Sequence, residues 1–137
     1  MDPLKTILQI SASGMMAQGE RLKVVSENVA NANSTANAPG EDPYRRKTIT
    51  FEEMLDNDTG VSTVHVASVD RDTSSDFSMR FEPSHPAADS KGFVKVSNVS
   101  TVMEMANMRE AARSYEANMN MFESARKMRS QIIDLLK

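Results

Sequence analysis

The side chains that could do chemistry are few and poorly grouped. His65 sits in the run VSTVHVASV and His85 in PSHPAAD, and no other histidine occurs. A metal site needs its ligands at short turn or helix spacings. Neither histidine has such a neighbour, so both read as structural or solvated. Asp70, Asp72 and Asp76 briefly resemble a calcium loop, but the central glycine and closing glutamate are missing; a solvated turn explains them. The chain has no cysteine, which excludes disulfides, thiolate zinc sites and thiol nucleophiles. No nucleophile elbow, phosphate-binding loop or dinucleotide fingerprint is present. A hydrolase would need a convergent acid–base pair, and none is visible. The sequence therefore predicts neither an enzyme nor a cofactor.

Three stretches suggest binding instead. YRRK (Tyr44–Lys47) is a basic cluster after an acidic pair. In a chain of net charge −3 it is too short to hold nucleic acid. It reads as a salt-bridging loop, or as a contact for an acidic neighbour, through Tyr44, Arg45 and Arg46. FEEML (Phe51–Leu55) places apolar residues at i, i+3 and i+4, as in one helical turn closing a sheet or in a short recognition motif. SENVANANST (Ser26–Thr35) ends a helical run with Asn28, Asn31 and Asn33, although asparagine competes with the helix for backbone hydrogen bonds.

These stretches must be held by recognisable elements. Asp2 and Pro3 are a helix start, an N-cap acid followed by proline at the first helical position. Leu8, Ser11, Met15, Gln18, Leu22, Val25, Val29 and Ala32 then alternate spacings of three and four, a heptad seam. Gly14 and Gly19 lie within it and each costs about 1 kcal/mol of helix propensity. They read as points of close helix approach, as marks of a helix that orders on assembly, or as tolerated glycines. STANAPGEDP (residues 34–43) is a loop. Lys47–Phe51, Val61–Val69, Phe77–Phe81 and Gly92–Val96 read as four short strands of one small sheet, with Phe77, Met79 and Phe81 as its buried face. Thr101 and Glu104 form a T-x-x-E capping box. Beyond it, Met105, Met108, Ala112, Tyr115, Met119 and Phe122 repeat the heptad spacing, and Met121, Ala125, Met128, Ile132 and Leu135 form an offset second line. No glycine or proline interrupts Thr101–Lys137, a helix of about 55 Å at 1.5 Å per residue.

The expected fold is mainly α with a small β insert: an N-terminal helix over residues 1–35, a loop and β-rich insert over 36–97, and a long C-terminal helix over 98–137. The two helices are expected to pair as a coiled coil. Charge follows the same division, since residues 41–95 carry eleven acids against seven bases while both ends are near neutral. Only 39 % of residues are hydrophobic, seven are Phe or Tyr and eleven are methionine, so the core is adaptable and suits packing completed by partners. A two-helix hairpin cannot bury two wide apolar stripes alone, which calls for further copies or relatives in a helical array. No apolar run approaches the roughly 20 residues of a membrane span. The N-terminus lacks the basic start and apolar centre of a cleaved secretory signal. Two classes of function stay open on these grounds: a subunit of a helical assembly, and a cytosolic coiled-coil adaptor, which would share the heptads without needing the insert.

Four segments in order carry a resemblance: GMMAQGERLKVVSENVANANST (Gly14–Thr35), DPYRRK with Phe51, EPSHPAADSKGFV (Glu82–Val94) and EMANMREAARSYEAN (Glu104–Asn118). Together they resemble the flagellar basal-body rod protein FlgC family over nearly the whole chain. The asparagine-rich portion is shared by rod and hook proteins generally, while YRRK together with HPAAD narrows the likeness to the proximal rod. Phe93 stands where the family often has Tyr, and Ser97 where Pro is common. The resemblance implies a non-enzymatic subunit that leaves by flagellar type III export without cleavage. It implies assembly in the periplasm with other copies of itself, with proximal and distal rod proteins and with the adaptor to the MS ring, in a shaft that transmits motor torque. Phe51 and Leu55 then resemble an export-gate motif. Leu8, Met15, Leu22, Val25, Asn28, Val29, Asn31, Met105, Met108, Ala112, Tyr115, Asn118, Met119, Phe122, Met128, Ile132 and Leu135 become the expected assembly surface, and Tyr44, Arg45 and Arg46 loop contacts between subunits. The helix ends are expected to be frayed before assembly.

Overall fold

Helix α1 (Pro3–Ala30) begins where Asp2 Oδ1 accepts the Leu4 amide at 3.0 Å, with Pro3 at the first helical position. It ends without glycine: the Asn31 side-chain amide donates to the Glu27 carbonyl at 2.8 Å, satisfying one of the last carbonyls. A loop leads to strands β1 (Lys47–Asp56) and β2 (Val61–Arg71), which are hydrogen-bonded to each other. Strands β3 (Ser78–Phe81) and β4 (Phe93–Val96) form a second sheet, and helix α2 (Thr101–Leu135) follows. The fold is thus mainly α with a small antiparallel β portion. A computed structural model describes residues 2–137.

Three expectations change. The strands make two separate two-stranded sheets, not one of four. Phe51–Leu55 lies within β1, paired with β2, and is not a helical turn. Ser100, not Thr101, caps α2: its carbonyl accepts the Glu104 amide at 2.9 Å and its hydroxyl faces the Met103 amide at 3.5 Å. Glu104 is thereby released from capping and is completely buried.

The elements contribute to two compact units. One comprises the chain up to Leu22, Ile49–Ser68 and Arg109–Lys137. There α1 presents small residues, Ser11, Ser13, Gly14 and Ala17, all buried. A Cβ at Gly14 would lie 2.6 Å from Asn118 Oδ1, so this glycine marks a close approach to α2. Gly19 has open space around it. Arg21 pairs with Glu110 at 3.3 Å. Ser13 Oγ accepts the Val64 amide of β2 at 3.3 Å and donates to the Ile10 carbonyl at 2.8 Å. On the part of α2 that belongs to this unit the covered positions are Ala111, one residue before Ala112, and Ala125.

The second unit comprises Lys23–Thr48 and Val69–Met108. Its β3–β4 ladder is antiparallel, with Arg80 opposite Val94 and Phe81 opposite Phe93. The face expected to be buried is not: Met79 is 53 % and Phe81 62 % exposed, and Phe77 is half-buried. Val94 and Val96 of the partner strand are buried instead, and Val94 packs with Ala36 and Ala87. Gly92 has φ +85°, and a Cβ there would lie 2.9 Å from the Phe81 ring. His85 Nδ1 accepts the Ala87 amide at 3.0 Å, which places the ring proton on Nε2, 3.1 Å from Thr35 Oγ1. The histidine is structural, tying PSHPAAD to the loop after α1. Asp72 closes a turn by accepting from the Ser74 hydroxyl and the Ser74 and Ser75 amides at 2.8–3.1 Å.

Two outcomes follow. Gly19→Ala stabilises the protein to urea by about 1 kcal/mol through helix propensity, whereas Gly14→Ala gains less or destabilises because Asn118 must give way. Hydrogen bonds from Ser74 and Ser75 hold the Asp72 carboxyl down at about 2. Its folded pKa lies below the unfolded value near 3.9, so its contribution is complete above about pH 4 and fades as pH falls toward 2. The Asp72 carboxyl resonance titrates in that range, and the urea-midpoint gap between wild type and Asp72→Asn narrows through the same window.

Candidate assembly site

The polar side chains of the second unit converge on Asn28, in the last full turn of α1 and wholly buried. Its Nδ2 donates to the Lys47 carbonyl at 2.8 Å and to Glu104 Oε2 at 3.4 Å. Its Oδ1 accepts the Tyr44 hydroxyl at 2.7 Å and the Lys47 amide at 2.9 Å. Two donors and two acceptors are therefore all used. By engaging both the N–H and C=O of Lys47, Asn28 acts as a backbone partner for the first residue of β1. Aspartate could not donate, and glutamine would overreach.

Glu104 is the largest fully buried side chain. Arg46 Nε gives it a short charge-assisted bond through Oε1, while the Arg46 side chain keeps 29 % of its exposure. A buried carboxylate persists only when so paired. The backbone of the YRRK segment is fastened on every side. Arg71 donates to the Arg45 carbonyl at 2.8 Å, Asn98 Oδ1 accepts the Arg46 amide at 2.7 Å, and the Asp72 amide donates to the Arg46 carbonyl at 2.8 Å. Asn98 Nδ2 continues to the Asp72 carbonyl at 3.1 Å. The Arg45 guanidinium lies 4.3 Å from the Phe77 ring centre, and that of Arg71 5.0 Å from Tyr44. Burial pushes the Tyr44 phenol up. A hydrogen bond from Lys47, 2.6 Å away, holds Glu27 down.

This arrangement fixes geometry; it offers no nucleophile beside a base. Among the described residues no three His, Cys, Asp or Glu converge to hold a metal. The residues expected at an assembly surface divide by exposure. Val25 and Asn28 are buried; Leu8, Met15, Leu22, Val29, Asn31, Met108, Asn118 and Phe122 are half-buried. Met105, Ala112, Tyr115, Met119, Met128, Ile132 and Leu135 are exposed. Phe51 is half-buried and Leu55 exposed. Tyr44, Arg45 and Arg46 all have partners within the chain. Asn33 is exposed. Sequence reasoning missed Asn98, Arg71 and the buried role of Glu104. The one available signal was Glu104 itself, an acid on a helix whose apolar neighbours begin at once.

Removing one partner of this network costs more than removing two. Arg46→Ala strands a buried carboxylate and destabilises by about 3–5 kcal/mol, while Arg46→Ala with Glu104→Gln recovers much of that. Asn28→Asp sets a second carboxylate against Glu104 and loses about 3 kcal/mol or more. Urea unfolding of the single and double variants measures these differences.

Residues 8–38 match the family of flagella basal body rod proteins, and residues 90–135 match the C-terminal family of flagellar basal body rod FlgEFG proteins. Asn28 and Glu104 each lie in one matched segment. The chain is 49 % identical over 137 residues to the flagellar basal-body rod protein FlgC of Agrobacterium fabrum, covering 100 % of this chain and 98 % of that one. It is 37 % identical over 132 residues to FlgC of Salmonella typhimurium, with 96 % and 97 % covered. FlgC of Borreliella burgdorferi is 33 % identical over 147 aligned positions, with 95 % of each covered. Identity at this level along the whole length means that the chain belongs to the flagellar basal-body rod protein FlgC family, a family of structural proteins and not of enzymes.

Proposed function

We propose that this protein is a structural subunit of the proximal rod of the bacterial flagellar basal body, built into a shaft that carries motor torque toward hook and filament. The observation that carries the reading is the uncovered apolar surface of α2. Met105, Met119, Met121, Met128 and Ile132 are 40–54 % exposed and Leu135 is 85 % exposed. Scattered exposed apolar residues are ordinary, but two helical lines of them, Met105 with Met119 and Met121 with Met128, Ile132 and Leu135, call for a partner. Neighbouring subunits supply it: other copies, other proximal and distal rod proteins and the adaptor to the MS ring. Methionine suits such contacts because it adapts to neighbours that are related but not identical.

On this reading both helices form the assembly core, paired in coiled-coil fashion, and residues 36–97 form the insert between them. The subunit reaches the periplasm through the flagellar type III export apparatus without a cleaved signal. Phe51 and Leu55 act as the export motif while the chain is unfolded. No helix among the described residues is long and apolar enough to cross a membrane, which agrees with an axial part. Torque then passes through many parallel side-chain contacts, with the Asn28–Glu104 network keeping each subunit's own geometry fixed.

Deletion of the gene in its host, complemented with this chain, tests the reading. The deletion strain should lack hooks on isolated basal bodies and fail to swim. The intact chain restores both, and a chain ending after Met128 is expected to restore neither. Hooks and swimming in the deletion strain would overturn the proposal. In the complemented strain, Phe51→Ala with Leu55→Ala lowers the amount of subunit secreted, whereas Asn31→Leu leaves secretion intact and impairs rod assembly.

A further inference from the structure

A groove of about 580 Å³ opens in the first unit, with Ile10 and Phe51 among its apolar lining and Gln18, Glu52, Glu53 and Asn118 among its polar lining. Gln18 Oε1 is buried there without a hydrogen-bond partner. Glu52 and Glu53 have no ion-pair partner among the described residues. The surrounding hairpin is one-signed: between Lys47 and Arg71 the chain has five acids and no lysine or arginine. The groove therefore offers carboxylates and an orphan acceptor beside an apolar floor. It suits an apolar surface flanked by cations.

The end of α2 has that character. Glu123–Lys137 holds four bases and two acids. Lys137 is paired with Asp134, while Arg126, Lys127 and Arg129 have no ion pair among the described residues. Met121, Met128 and Ile132, at i, i+7 and i+11, give the same stretch an exposed apolar line.

We infer that the groove at Gln18, Phe51, Glu52 and Glu53 receives the Arg126–Ile132 stretch of α2 from a second copy of this chain. The inference deepens the rod reading by naming the surfaces through which copies meet, and rests on it. Charge complementarity selects the occupant. The two surfaces are different patches of one chain, so the contact is heterologous. Repeated head to tail, with each copy giving its groove to one neighbour and its helix to another, it propagates into a ring or an open helix. That is the geometry a tubular shaft requires.

The absence of native cysteine makes the test clean. Glu53→Cys and Arg129→Cys, together in one chain, are expressed in the deletion strain, and basal bodies are isolated and oxidised. Both positions are exposed, so neither change disturbs packing. A ladder of cross-linked copies that needs both substitutions is the expected result. Hooked, motile cells whose basal bodies give no ladder would overturn the inference while the rod reading stands. A cross-link from position 53 to a different basal-body protein would overturn the choice of a second copy. Failure of the wild-type chain to restore hooks would remove the rod reading and the inference with it. Charge reversal is the second arm: E52K/E53K, or R126E/K127E/R129E, each weakens copy–copy association about tenfold, and combining the sets restores it. Unchanged hook numbers in both reversed strains would also count against the contact.

Discussion

Asn28 has no exposed surface and no unused hydrogen-bonding site, and that requirement organises the second unit around it. Its carboxamide is satisfied only if the Lys47 backbone, the Tyr44 hydroxyl and the Glu104 carboxylate are all in place. Glu104 in turn needs Arg46, and the backbone on which Arg46 sits needs Asn98 and Asp72. A buried network of this kind is unforgiving, because any unpaired member bears its full desolvation cost. Its yield is uniqueness of geometry more than raw stability.

The helices use their faces for two different purposes. Where α1 meets α2 within the first unit, Gly14 admits Asn118 at a distance no Cβ would allow, and Arg21 pairs with Glu110. Small residues give a close approach with little apolar area. The large flexible side chains stand outside that contact, on Met105, Met119, Met121, Met128 and Ile132. Rigid small-residue packing inside and adaptable methionine outside divide the work between holding one subunit together and joining it to others.

Much of this was legible in the residues. The start of α1 at Asp2–Pro3, the uninterrupted length of α2, the two strands of the long hairpin and the loop before YRRK follow from caps, breakers and periodicity. The site was legible in part. The asparagines at the end of α1 stood out against helix propensity, and Asn28 and Asn31 bond backbone groups of their own chain while Asn33 is exposed. The errors share a cause. The capping box, the helical turn at Phe51–Leu55 and the buried face at Phe77, Met79 and Phe81 were each inferred from local spacing. Local spacing cannot tell which of two eligible residues a tertiary partner will claim. Ser100 caps α2 while Glu104 pairs with Arg46, and Val94 of the partner strand packs with Ala36 and Ala87.

The sequence alone determined the order of elements, the uneven placement of charge and the excess of apolar surface on the last helix, because these depend on neighbours three, four or two positions away. It also carried the family likeness, since that is a property of the string. The tertiary structure alone decided the pairing of Asn28 with Lys47 and Glu104, across separations of 19 and 76 residues. It decided the fastening of YRRK within its own chain and the line of α2 that is covered. Those outcomes depend on which distant groups meet at hydrogen-bonding distance once water is excluded, and no periodicity along the chain encodes that meeting.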